Sequence, residues 1–71
     1  MRVDTHSGYV ADERPVRFWL DGRRVEVVEI VDRHHRPGHR CFRVRGDDAR
    51  SYVLCQSTES NEWEVVGVGE R

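Results

Sequence analysis

Lysine is missing altogether from this chain, and all twelve of its basic residues are arginines. Genome composition is the bland cause. The chemical cause would be a demand for planar, two-pronged contacts to phosphate or carboxylate, which arginine makes and lysine does not. A basic excess is missing too: thirteen acids leave a net charge of -1. That excludes a strong, indiscriminate nucleic-acid binder and leaves room only for a local basic patch. No apolar run approaches the length of a membrane span. No apolar segment of the secretory type follows Met1, so the expected setting is the cytoplasm, with Cys41 and Cys55 as reduced thiols. With 71 residues the chain makes one domain with a marginal core. An active site would consume part of that core, so an enzyme is not expected.

What is present is strand chemistry. Residues 1–13 are polar and without a sustained period, and are expected to be loosely attached to a single domain spanning 14–71. From Pro15, Val16, Phe18 and Leu20 alternate with Arg17 and Trp19. A period of two means one buried and one wet face. Asp21-Gly22 then marks a hairpin, because both residues tolerate the positive φ of a type I′ turn. The next run, from Arg23 to His35, slips phase: Val25 and Val27 are apolar, then Val28 and Ile30. A β-bulge near Val27-Val28 explains the slip and would let one bent strand serve two halves of a curved sheet. Strands follow at Cys41–Arg45, Ser51–Gln56 and Trp63–Val68. The expected fold is all-β, a five-stranded antiparallel meander curled into a small SH3-like barrel. The expected core is Val16, Phe18, Leu20, Val25, Val28, Ile30, Phe42, Val44, Tyr52, Leu54, Trp63 and Val65.

The stretch "DRHHRPGHRC" concentrates the polar chemistry. Setting Ile30 opposite Val44 puts Glu29 opposite Arg45, apolar against apolar and acid against base. It requires an odd loop from His35 to His39. In the next hairpin, Val44 opposite Tyr52 puts Cys41 opposite Cys55. Under both registers His35, His39, Cys41 and Cys55 share the outer face, a Cys₂His₂ set with His-x₃-His spacing. Against zinc stand the lack of a Cys-x₂-Cys pair and the nearby Arg33, Arg36 and Arg40. A one-residue slip would also scatter the set to opposite faces. A polar hairpin without metal or cofactor is the favoured reading. A Cys41–Cys55 disulfide fits the same register, but the expected compartment opposes it.

The outward Arg17, Trp19, Arg43 and Arg45 match a footprint for single-stranded nucleic acid, with guanidinium on phosphate and an aromatic on a base. Arg33, Arg36 and Arg40 would add phosphate contacts. The plainer alternative is a solvated face whose arginines pair with Glu26, Glu29 and Glu64. A third reading is an adaptor that holds extended peptides in an aromatic groove built from Tyr9, Trp19 and Tyr52; the histidines would make it pH-responsive. No catalytic constellation stands out: Asp47-Asp48 fall in a turn, and no helix follows the glycines near the end.

Pro15 to Phe18, Gly22 to Arg24, Val31 to Arg33, Phe42 to Val44, Tyr52 to Leu54 and Trp63 to Val65 together resemble a family of small bacterial proteins of unknown function. The resemblance covers Pro15 to Val68. Some members are associated with DNA-repair polymerase operons. The resemblance implies a compact β fold and a link to nucleic-acid metabolism, and it implies no catalytic residues. Where other members often carry an aromatic, this chain has His34-His35. The expected function is therefore a non-catalytic binding module for nucleic acid or for a protein of a DNA-handling complex. A peptide adaptor is the first alternative and a small zinc-binding domain the second.

Overall fold

Alternating runs and marked turns produce strand after strand. The computed structural model describes residues 1–7 and 13–70. Six strands run in chain order: β1 (Val3–Ser7), β2 (Glu13–Leu20), β3 (Arg23–Arg36), β4 (His39–Gly46), β5 (Arg50–Ser57) and β6 (Trp63–Glu70). They form one antiparallel meander in the order β1-β2-β3-β4-β5-β6. Five strands were expected. The sixth is β1, whose polar residues show no period but pair with β2 from Val3↔Phe18 to Ser7↔Glu13. Among the described residues no pairing joins β1 to β6, so the sheet is a curled half-barrel with two free ends.

The Asp21-Gly22 turn has φ of 53° and 79°, the left-handed pair that a type I′ hairpin needs. It sets Leu20 opposite Arg23 and Phe18 opposite Val25. β3 then changes partner. Its first residues pair with β2 as far as Arg17↔Glu26, and from Val27↔Gly46 onward it pairs with β4. The register shifts between Val27 and Glu29, where the phase slip predicted a bulge. The bend turns the inner face of β2 toward that of β5. Phe18 meets Tyr52 edge-on with ring centroids 5.0 Å apart, and Phe42 packs on Trp63 at 5.8 Å.

Phe18, Val25, Phe42, Val44, Tyr52, Leu54 and Trp63 form the buried cluster, with Leu20, Val27, Ile30 and Val65 packed against it. Val28 is a correction. Expected inside, it is 54% exposed, because the bulge gives the inward position to Val27. Gly46 lies where the two halves close on each other. A Cβ there would come within 2.5 Å of Val25 Cγ1 and 3.1 Å of Tyr52 Cε1. Gly46→Ala should therefore destabilise the fold by about 1–3 kcal/mol through overpacking. Urea denaturation checks this, and an unchanged midpoint would show that the turn yields freely.

The register of β4 and β5 is the expected one: Val44↔Tyr52, Phe42↔Leu54 and Cys41↔Cys55. The cysteines are not reduced thiols. They form a disulfide, and both are buried, at 1% and 3% exposure. Closing a loop of 14 residues restricts the unfolded chain, typically by about 2–4 kcal/mol. The double variant Cys41→Ala/Cys55→Ala should lose stability on that scale, read as a lower Tm. The wild-type protein should titrate no free thiol under native conditions.

Candidate functional site

The four residues of the expected nucleic-acid face are divided between the two halves of the bent sheet. Arg17 and Trp19 lie on β2, outside the half made by β1, β2 and the start of β3. Arg43 and Arg45 lie on β4, outside the other half. The β2 pair is already engaged. Arg17 is held between two carboxylates, Asp4 at 2.9 Å and Glu26 at 3.0 Å, and Arg24 also reaches Glu26 at 3.4 Å. The hydrogen bond to Asp4, and after it that to Glu26, raises the Arg17 pKa above its ordinary value. Trp19 is half-buried, and the Arg2 guanidinium covers its ring at 4.3 Å from the centroid. A base cannot stack there until Arg2 moves. The plainer alternative describes this half correctly, and Arg45 on Glu29 at 3.1 Å is a second instance of it.

The β3–β4 hairpin differs. From Glu29 to Gly46 the chain carries five arginines and three histidines against two acids, so the acid excess lies elsewhere. Residues 31–38 are all exposed. Arg33 is exposed, with its guanidinium 6.0 Å from the Phe42 ring centroid. Arg40 donates to Gln56 Oε1 at 3.1 Å. Arg36 and Arg43 are exposed, and among the described residues neither is in a salt bridge. β5 supports the arm as far as His39↔Ser57, and the Thr58 N–H donates to the Gly38 carbonyl at 2.9 Å. The basic arm is therefore held along its β4 side and at its turn.

The Cys₂His₂ set is not assembled. A second register shift, between Ile30 and Asp32, follows the first. It closes the hairpin on the two-residue turn Pro37-Gly38 with Arg36 opposite His39, where a five-residue loop was expected. His34 now stands opposite Cys41, while His35 stands opposite Arg40 and so faces the other way. Both sulfurs are taken by the disulfide. His39 Nδ1 lies 3.2 Å from the Pro37 carbonyl oxygen, within its own turn. Among the described residues no group of three or more potential ligands comes together. The aromatic peptide groove is not assembled either. Tyr52 is buried in the core, and Tyr9 lies outside the described residues.

Comparison with protein-family models, curated proteins and solved structures yields no significant match.

One polar cluster was not anticipated. Asp48, in the β4–β5 turn, accepts a hydrogen bond from the Tyr52 hydroxyl. It also accepts the Arg50 N–H at 3.1 Å and pairs with Arg23 at 3.1 Å. Arg23 donates in turn to the Tyr52 oxygen at 3.3 Å. The cluster ties the first hairpin to the β4–β5 turn, and all its members come from positions that read separately as turn, strand start and core. Burial pushes the Asp48 pKa up. The hydrogen bonds from Tyr52 and Arg50 and the charge of Arg23 outweigh that and leave it below the ordinary value. Burial and then the bond to Asp48 raise the Tyr52 pKa above its ordinary value, with Arg23 opposing.

A lowered carboxylate pKa adds stability above the unfolded value near pH 4, and that stability is lost as pH falls through the folded value. A raised tyrosine pKa adds stability below about pH 10, lost as pH rises through the folded value. Stability of the wild-type protein should thus decline at both ends of the pH range. Asp48→Asn should flatten the acid decline. Denaturant midpoints of the two proteins from pH 2 to 7 test this, and parallel curves would remove Asp48 as the source.

Proposed function

We propose that the chain is a non-catalytic binding module whose β3–β4 arm docks on the phosphates of nucleic acid. One observation supports the reading above others: an exposed, backed hairpin with three surplus positive charges on a chain whose net charge is negative. Arg36 and Arg43 are the leading contacts, with Arg45 on the same face of the arm; Arg33 and Arg40 stand on its opposite face and are secondary. Arg17 and Trp19 are secondary, since each already has a partner. The sequence resembles a family some of whose members are associated with DNA-repair polymerase operons, which points the same way. In this reading the half-barrel plays the part of a small SH3-like barrel, presenting one strand pair while the rest of the sheet supports it. Modest affinity and a strong salt dependence follow from phosphate contacts with little base stacking. A cytoplasmic setting belongs to the same proposal and carries a condition. The Cys41–Cys55 bond has to withstand the thiol pool there, and its burial favours that.

The test is a titration of labelled protein with a short single-stranded oligonucleotide at low and at physiological salt. Amide shifts should cluster between Asp32 and Arg45 and fade as salt rises. Arg36→Ala/Arg43→Ala should weaken binding and lower the slope of log affinity against log salt by about two, one for each phosphate left without its guanidinium. Unchanged affinity in this variant, or shifts confined to β1 and β2, would overturn the arm as the docking element.

A further inference from the structure

Two histidines share a face of the arm with its two leading arginines. His39 stands opposite Arg36, and His34 opposite Cys41. Arg43 lies two residues beyond Cys41, so Arg43 and His39 are the diagonal neighbours of His34 on that face. His35 stands opposite Arg40 and points to the other side. His34 is exposed and His39 half-buried. Around His34 the same face carries Asp32 and Arg36 on β3, and His39, Cys41 and Arg43 on β4. Around His39 it carries His34 and Arg36 on β3, Cys41 on β4, and Cys55 and Ser57 on β5. Glu64 lies one strand farther, opposite Cys55. The β5–β6 turn, joined to the Gly38 carbonyl by the Thr58 N–H, places Glu59 and Glu62 at the same end of the arm. Among the described residues no ion pair joins His34 or His39 to any of these acids. The Asp32 carboxylate accepts the Arg33 N–H at 2.9 Å.

His39 also shows which of its nitrogens is left for a ligand. Its Nδ1 lies 3.2 Å from the Pro37 carbonyl oxygen, which can only accept. Nδ1 therefore donates, and in the neutral ring Nε2 keeps a lone pair. A lone pair repels a phosphate oxygen. A second proton turns Nε2 into a charged donor. Histidine makes this change between pH 5 and 8. We propose that His34 and His39 are proton-gated contacts to the phosphodiester backbone that Arg36 and Arg43 engage. The proposal rests on the arm as the docking element. With both rings neutral, five arginines and two acids leave the arm three surplus positive charges; with both protonated it has five. The two added charges fall on the docking face, whereas a charge on His35 falls on the other. Acidification therefore tightens binding, and binding takes up protons.

The probe is a labelled oligothymidylate, whose bases do not titrate in this range, followed by fluorescence anisotropy from pH 8 to pH 5.5. Affinity at fixed salt should rise about tenfold across the range. The slope of log affinity against log salt should steepen by about one for each histidine. His34→Gln and His39→Gln should each remove about half of that steepening. The double variant should bind as tightly at pH 5.5 as at pH 8. His35→Gln, on the far face, should leave the pH dependence unchanged. Equal wild-type affinity at the two pH values would overturn the gating and leave the arm as the docking element. A pH dependence that survives in the double variant would overturn the gating too, as would its loss in His35→Gln. Absence of binding at both pH values in low salt would overturn the docking reading itself, and the gating with it.

Discussion

The bend in β3 at Val27-Val28 is the constraint on which everything else rests. One 14-residue strand pairs with β2 on one side of the bulge and with β4 on the other. The bulge inserts a residue, sharpens the twist and turns the two half-sheets toward each other. Phe18 then meets Tyr52, and Val25 closes on Gly46 so tightly that no side chain fits between them. Without the bend, a meander this short would be an open sheet with one face bare. The same bend parts β2 from β3 beyond Arg17↔Glu26, a direct cost of forming the core.

Electrostatics follow the same division. In the first half Arg17 meets Asp4 and Glu26 across the strands, and Arg2 and Arg24 reach the same two carboxylates. Arg17 between Asp4 and Glu26 is the clearest case, and such exposed pairs contribute little stability. They do make that surface electrically quiet. The β3–β4 arm carries five arginines to two acids of its own, which is why it carries the functional proposal. A nearly neutral chain can still present a basic element when its acids gather in turns and on other strands.

The strand pattern, the Asp-Gly hairpin, the bulge at Val27-Val28 and the registers Ile30↔Val44 and Cys41↔Cys55 were all legible, because each rests on local alternation or on apolar pairing. β1 was not, since "VDTHS" has no period and becomes a strand only because β2 offers an edge. The burial of Val27 in place of Val28 was not legible either. A bulge shows in the sequence as a slip of phase, but which residue it expels depends on the packing around it. The second bulge, between Ile30 and Asp32, left no apolar signature at all in a run of charged and histidine residues, and together with the disulfide it undid the Cys₂His₂ set.

By itself the sequence determined the class of fold, most of the core and the concentration of arginine and histidine between Glu29 and Gly46. These depend on side-chain chemistry and on spacing along one strand. Tertiary structure decided which of those residues share a surface: Arg17 between its carboxylates, Trp19 beneath Arg2, His35 turned away from His34, the two cysteines joined. It also decided where, among the described residues, β2 and β3 cease to pair. Such facts depend on how the halves of a bent sheet lie against each other, and a period of two along the chain carries no information about that.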